Sequence, residues 1–165
     1  MNSLSVRLAV PADLPALELI EIRCFRGSRR ASRRSLRRSL VSPAQSVWLA
    51  VVSHEGRRLV AGAMILHHHA RSIRIYSLAV LPAFRGSGAG RRLVRRAVLV
   101  ARRNGCRAVT LEADRRNRVL TGWYERLGFE IVRVLKDYYS PGRHAVRMHR
   151  VLKQDQKSES VCGRS

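Results

Sequence analysis

The sequence predicts a mixed α/β fold of 165 residues. Three observations lead there: short runs with apolar residues at every second position, longer stretches with helical apolar spacing, and glycine- or proline-bearing turns between them. Strands and helices intermix with several hairpins. The expected architecture is therefore a largely antiparallel central sheet of about seven strands flanked by about four helices. One domain over residues 1–152 suits the length, since one core serves about 100–200 residues. Residues 153–165 are polar and are expected to fray as a disordered tail.

Ser5 to Ala9 reads as the first strand. Pro11-Ala12-Asp13 opens a helix with Asp13 as N-cap and Pro15 in the first turn. Leu14, Leu17, Ile20 and Phe25 supply its apolar face. Arg23 to Arg38 holds eight arginines in sixteen residues, with the pairs Arg29-Arg30, Arg33-Arg34 and Arg37-Arg38 four apart. That spacing stacks them along one side of a short amphipathic helix, with Leu36 and Leu40 on its thin apolar side. From residue 46 the period becomes two. Val47 to Ser53 and Leu59 to His68 form a hairpin about His54-Glu55-Gly56-Arg57, and Ile73 to Val80 follows through a turn near Ala70. Leu81-Pro82 closes that strand, because proline cannot continue a ladder.

A clear helix follows the glycine-rich residues 85–90 and ends at Asn104-Gly105. Leu93, Ala97, Val98, Val100 and Ala101 face inward; Arg91, Arg92, Arg95, Arg96, Arg102 and Arg103 face out. Cys106 to Ala113 is a strand and Val119 to Leu127 a short helix stopped by Gly128. Phe129 to Leu135 and His144 to Leu152 form the closing hairpin.

Composition narrows the function. Lys plus Arg number 33 and Asp plus Glu 11, so the net charge is 33 − 11 = +22; thirty of the bases are arginine. Such charge admits anionic cofactors, acidic partners or nucleic acid, and speaks to partners more than to fold. The Arg23 to Arg38 stripe is either a docking surface for an anionic partner, a ribosome or RNA, or a solvated charged face. No RNP-type aromatic motif or zinc-finger spacing accompanies it. No apolar run of about 18 residues predicts a membrane span. Cys24, Cys106 and Cys162 are odd in number and widely spaced, which suits neither a disulfide framework nor CxxC metal ligation. With no signal-peptide pattern at the N-terminus, a reduced, cytoplasmic protein is expected. His67-His68-His69 is a poor metal site, because consecutive strand residues alternate faces.

The strongest chemical signal is Arg85-Gly86-Ser87-Gly88-Ala89-Gly90 between a strand and a helix. Free N–H groups at a helix start attract an anion, glycines admit close backbone approach, and Arg85 adds charge. No Gly-Lys-Ser/Thr follows, so it is not a Walker A loop, and Arg91 stands where a dinucleotide fingerprint needs glycine.

With Leu78-Ala79-Val80 and Pro82 before it, this loop resembles the acetyl-CoA loop of the GNAT acyltransferase superfamily. Tyr124-Glu125-Arg126-Leu127-Gly128-Phe129 resembles that superfamily's Tyr-Glu-x-x-Gly-Phe segment. Leu111-Glu112, Asn117, Tyr124 and Asp137-Tyr138-Tyr139 with Gly142-Arg143-x-Ala145-x-x-Met148 are similar to the ribosomal-protein-alanine and protein N-terminal acetyltransferases. The resemblance implies acetyl transfer from acetyl-CoA directly to an amine, most naturally a protein or peptide α-amino group, without a metal. Acylation of a small amine or a lysine side chain, or a non-catalytic acyl-CoA sensor, is the alternative.

It also implies roles. Leu78, Ala79 and Val80 would meet the cofactor's pantetheine arm; Arg85, Gly86, Ser87, Gly88, Ala89 and Gly90 its pyrophosphate; Asn117 lies on the cofactor side or caps a helix. Tyr138 and Tyr139 would line the acceptor groove. The residues agree with two further roles. Strand alternation turns Thr110, Glu112 and Asp114 away from Val109, Leu111 and Ala113, so Glu112 can take the ammonium proton through a water. Tyr124 can donate to the departing sulfur.

Overall fold

The structure, a computed structural model, describes residues 3–153. Cys162 and all but the first residue of the expected tail lie outside the described residues. Seven strands run β1 (Ser3–Leu8), β2 (Gln45–His54), β3 (Arg57–His68), β4 (Ser72–Val80), β5 (Ala108–Asp114), β6 (Glu130–Ser140) and β7 (Arg143–Val151). Four helices join them: α1 (Leu14–Cys24), α2 (Arg33–Val41), α3 (Ala89–Arg103) and α4 (Arg118–Arg126). The sheet order is β1-β2-β3-β4-β5-β7-β6. Only β4 and β5 are parallel neighbours; every other pair is antiparallel.

Alternation splits the apolar residues into one core per sheet face. Met64, Leu66, Ile73, Val109 and Leu111 meet Leu93, Val94 and Ala97 of α3, Tyr124 of α4 and Phe129 just after it. Leu49, Ala63, Ile65 and Ala79 meet Leu17 and Ile20 of α1 and Leu36 of α2 on the other face.

The parallel pair opens the sheet. β4 and β5 stay in register from Ser72↔Ala108 to Ile75↔Leu111, and no pairing continues beyond Ile75. On its other side β4 keeps its pairing to β3 as far as Gly62↔Val80, across a bulge that leaves Tyr76 as the extra residue. A bulge bends its strand and adds twist. The last residues of β4 therefore lean with β3, and β5 goes with β7. The sheet opens into a split whose left lip is Leu78 to Val80.

Several local expectations need correction. Asp13 is not a side-chain cap of α1. Its carboxylate accepts from the Val10 amide and from both terminal nitrogens of Arg7, each at 2.8 Å. Phe25 lies beyond α1 in extended backbone. The cationic helix is shorter than the arginine spacing suggests: Ser32 caps it by accepting from Ser35 N at 3.1 Å, so Arg29-Arg30 fall in a preceding turn. In α3, Val94 is buried and Val100 only partly so. β6 runs on to Ser140 through two register breaks.

Candidate active site

On the left lip, the Leu81 amide donates to Ala61 O across β3 at 2.8 Å. Antiparallel alternation then turns Ala79 toward β3 as well, and turns the amides of Leu78 and Val80 into the split. The Cys24 thiol lies 3.6 Å from Val80 O on that same side. Gly62 holds this geometry: a Cβ there would sit 2.5 Å from Ala79 O, so any other residue displaces the lip.

Below the lip, Arg85 to Gly88 turn exposed into α3. Gly86 has φ +78 and Gly88, the N-cap, φ +89, a left-handed backbone that glycine adopts without strain. The first intrahelical bond runs from Arg92 N to Gly88 O at 3.0 Å. The Gly90 and Arg91 amides of the opening turn therefore have no partner within the helix, and they point out of its N-terminus. Ser87 Oγ accepts from Ala89 N at 3.4 Å. Gly90 also admits the neighbouring helix, since a Cβ there would meet the Trp123 ring at 3.3 Å.

Tyr124 comes from the α4 face. A Schellman turn ends that helix, with Phe129 N bonded to Tyr124 O at 3.1 Å and Gly128 left-handed at φ +88. The ring packs edge-on against Trp123 and Phe129, with centroids 4.8 and 5.5 Å away. Tyr124 is only 6% exposed. Burial, with a smaller contribution from Tyr139, pushes its phenol well above the ordinary tyrosine range. It stays protonated, the form that can donate.

Glu112 comes from the opposite face, its side chain 5% exposed. Arg74 of β4 donates from Nε to Oε2 at 2.8 Å. Arg147, its cross-strand partner on β7, donates from two nitrogens to Oε1 at 3.0 and 2.9 Å. Oε2 carries one donor and keeps a lone pair for water. Arg74 reaches on to the Tyr138 hydroxyl at 2.9 Å. Tyr138 and Tyr139 sit where β6 bulges, with Asp137 at φ +51. Asp137 N donates to His144 Nδ1 at 2.9 Å and Gly142 N donates to Asp137 Oδ1 at 2.7 Å, which holds the bulge over the split. Arg29, from the α1–α2 connection, lies 4.9 Å over the Tyr139 ring.

Asp114, at the end of β5, accepts from Arg143 and from the Arg116 amide and lies 3.5 Å from Arg29. Burial opposes its ionisation, but the Arg116 amide and the two guanidinium groups outweigh it and hold the carboxyl below its ordinary range. Thus Arg74 ties Glu112 to Tyr138, Tyr139 packs edge-on against Tyr138 at 5.1 Å, and Tyr124, on the other face, is near enough to Tyr139 to feel its charge. Asn117 is a helix cap in this arrangement, accepting from Leu120 N at 3.0 Å. The histidine run diverges: His67 stacks on Tyr76 at 4.4 Å, and His68 shares a hydrogen bond of 2.8 Å with Ser46. Among the described residues no three His, Cys, Asp or Glu side chains gather as metal ligands. None of their helices is long and apolar enough to cross a membrane.

Arg74 and Arg147 are the site residues that motif reading passed over; Arg29 stood only in the arginine stripe and Arg143 only in the closing pattern, neither with a role of its own. One clue was available for Arg74, the one charge of β4, set between Ile73 and Ile75.

A split parallel pair with a glycine loop and a helix start beneath it suits a ligand with an amide-bearing arm and an anionic end. Residues 14–129 match the acetyltransferase (GNAT) family. The chain belongs to that family. It is 34% identical to N-alpha-acetyltransferase MAK3 of Arabidopsis thaliana over 97 residues, 58% of this chain and 51% of that protein. The match thus spans about half the length of that relative. Among solved structures, the ribosomal-protein-S18-alanine N-acetyltransferase of Escherichia coli superposes with a TM-score of 0.78 at 21% identity, covering 96% of this chain and 98% of that one. Arabidopsis thaliana NAA60 in complex with a bisubstrate analogue also gives 0.78, at 18% identity, covering 92% and 100%. At such identities these two show a shared fold.

Proposed function

We propose that the protein transfers the acetyl group of acetyl-CoA to the α-amino group of a protein or peptide N-terminus. The observation that carries this reading is the β4–β5 split, with open Leu78 and Val80 amides on one lip and Glu112 under Tyr138 and Tyr139 on the other. The name of the MAK3 relative supports the acceptor class.

The residues present fit acetyl-CoA. Leu78 and Val80 offer backbone bonds to an amide-bearing arm, and the amides of Gly90 and Arg91 with Arg85 suit a pyrophosphate. Bound there, acetyl-CoA supplies an activated thioester whose acetyl group passes to the amine as CoA leaves as a thiol. The chain's own groups handle the protons. Glu112, through a water on Oε2, takes the proton of the incoming ammonium and leaves a neutral nucleophile. The Val80 amide, in the split, polarises the carbonyl oxygen under attack. Tyr124 gives its proton to the departing sulfur and regains one from the amine nitrogen, and the proton taken at Glu112 leaves to solvent through its water, so the enzyme returns to its starting protonation. Tyr138 and Tyr139 narrow the mouth to an extended chain end.

The test is incubation with acetyl-CoA and peptides of varied first residues, each with a free or a blocked N-terminus, read by mass spectrometry. Acetylation confined to free N-termini is expected. Acetylation of blocked peptides at lysine, or of small amines alone, would move the acceptor class, and no turnover with any amine would leave a sensor.

A further inference from the structure

The charge around the split is unevenly spent. Four guanidinium groups, Arg29, Arg74, Arg143 and Arg147, surround two carboxylates, Glu112 and Asp114, and with Asp137 beside Tyr138 counted the local balance is 4 − 3 = +1. Both carboxylates are engaged: Arg74 and Arg147 hold Glu112, and Arg143 and Arg29 flank Asp114. The guanidinium groups are not used up. A guanidinium has five N–H donors, and these side chains remain 43%, 25%, 41% and 36% exposed, in the order Arg29, Arg74, Arg143, Arg147. They come from three separate parts of the chain, the α1–α2 connection, β4 and β7; Arg74 and Arg29 touch Tyr138 and Tyr139, and Arg147 and Arg143 join them through the shared Glu112 and Asp114.

An acceptor entering between the two tyrosines thus meets donors and surplus positive charge, and finds Glu112 and Asp114 already paired with arginine and Asp137 accepting from the Gly142 amide. A basic chain end is repelled there. Carboxylates pair with an arginine fork through two parallel bonds, stronger than neutral hydrogen bonds. The same charge assists the chemistry, because an ammonium among cations loses its proton more readily. From this juxtaposition, and resting on the reading of the site as an N-terminal acetyltransferase, we propose that the acceptor is a chain whose first few residues after the α-amine are acidic. Arg29, above Tyr139 and beside the paired Asp114, is the specificity-determining residue best placed to read them.

Three peptides with the same first residue and with acidic, neutral or basic residues at the next three positions test this. Two quantities are measured at low salt: kcat/KM with acetyl-CoA, and peptide affinity by fluorescence anisotropy in the presence of CoA. The acidic peptide should exceed the basic one by about tenfold or more in both, and the gap should shrink as salt screens it. Arg29→Ser should reduce the acidic-over-basic ratio by about threefold or more, as removal of one of the charges that set partner preference. Equal rates across the series, or a preference for the basic peptide, overturn the acidic-acceptor proposal and leave N-terminal transfer standing. Acetylation of none of the free N-termini overturns both.

Discussion

At the scale of single residues, the two candidate catalytic groups are held by different physics. Tyr124 is a buried phenol fixed by ring packing and a helix-ending turn, so Tyr124→Phe keeps the shape and removes only the proton. The substitution should lower kcat by about 10²-fold, the usual size of a lost general acid, with CoA affinity unchanged. Unchanged kcat would dismiss the assigned role. The phenol is raised above its ordinary value of 10, so no loss of rate from its ionisation should occur at any pH below that value. Glu112 is a paired charge, and its removal has a structural side. Glu112→Gln leaves Arg74 and Arg147 facing one another without their shared carboxylate. It should lower both kcat/KM and the thermal midpoint, because a guanidinium stripped of its partner is costly when partly buried.

At the scale of elements, α4 and α2 show opposite kinds of local fit. Gly122 sits in the middle of α4, yet a Cβ there would meet only Arg126 at 3.6 Å, an ordinary contact. Gly122→Ala should therefore raise stability by up to about 1 kcal/mol in denaturant melts. Ser32→Ala removes the cap of α2 and should cost about 1 kcal/mol. A destabilised Gly122→Ala would mean that the helix needs that glycine for reasons its neighbours do not show. Most elements were legible because each has a single period and clear punctuation: α3 between Gly88 and Gly105, or β2 and β3 about Glu55-Gly56. The arginine stripe was misread for a physical reason. Spacing of four is the same whether or not a helix joins the pairs, and Ser32 begins the helix after the first pair. Its arginines then part: Arg29 covers Tyr139, Arg30 bonds Ile22 O and Phe25 O, and Arg33 pairs with Glu18. The candidate site was legible where it is made of motif, at residues 78–90, Glu112 and Tyr124. Arg74 and Arg147 escaped, and Arg29 and Arg143 were noted without a site role, because in a chain with thirty arginines only three-dimensional convergence distinguishes them.

At the scale of the whole molecule, a net charge of +22 on 165 residues makes the compact state repel itself. The ion pairs offset little of it: Asp13, Glu18, Glu112 and Asp114 engage six arginines, and the surplus remains. Screening should then stabilise the fold. The Debye length falls from about 10 Å at 0.1 M to about 3 Å at 1 M salt, so repulsion between exposed arginines fades over that range. The thermal midpoint in NaCl should rise steeply at low salt and flatten above it, because screening saturates. A midpoint that falls, or that climbs in a straight line to high salt, would assign the effect to something other than charge. Acid should act in the opposite direction. Asp13 is held below its ordinary carboxyl value of 3.8 chiefly by its bonds to Arg7, which outweigh its burial, and Asp114 is lowered likewise. A lowered folded pKa contributes stability above the unfolded value and loses it as pH falls through the folded one. Both contributions are thus present at neutral pH and vanish below about pH 4, where the net charge also climbs. The midpoint should drop across that interval, and added salt should recover the part due to repulsion but not the part due to the two protonated aspartates. Asp13→Asn separates the two: its midpoint should already be lowered at neutral pH, with a shallower fall in acid than the parent chain.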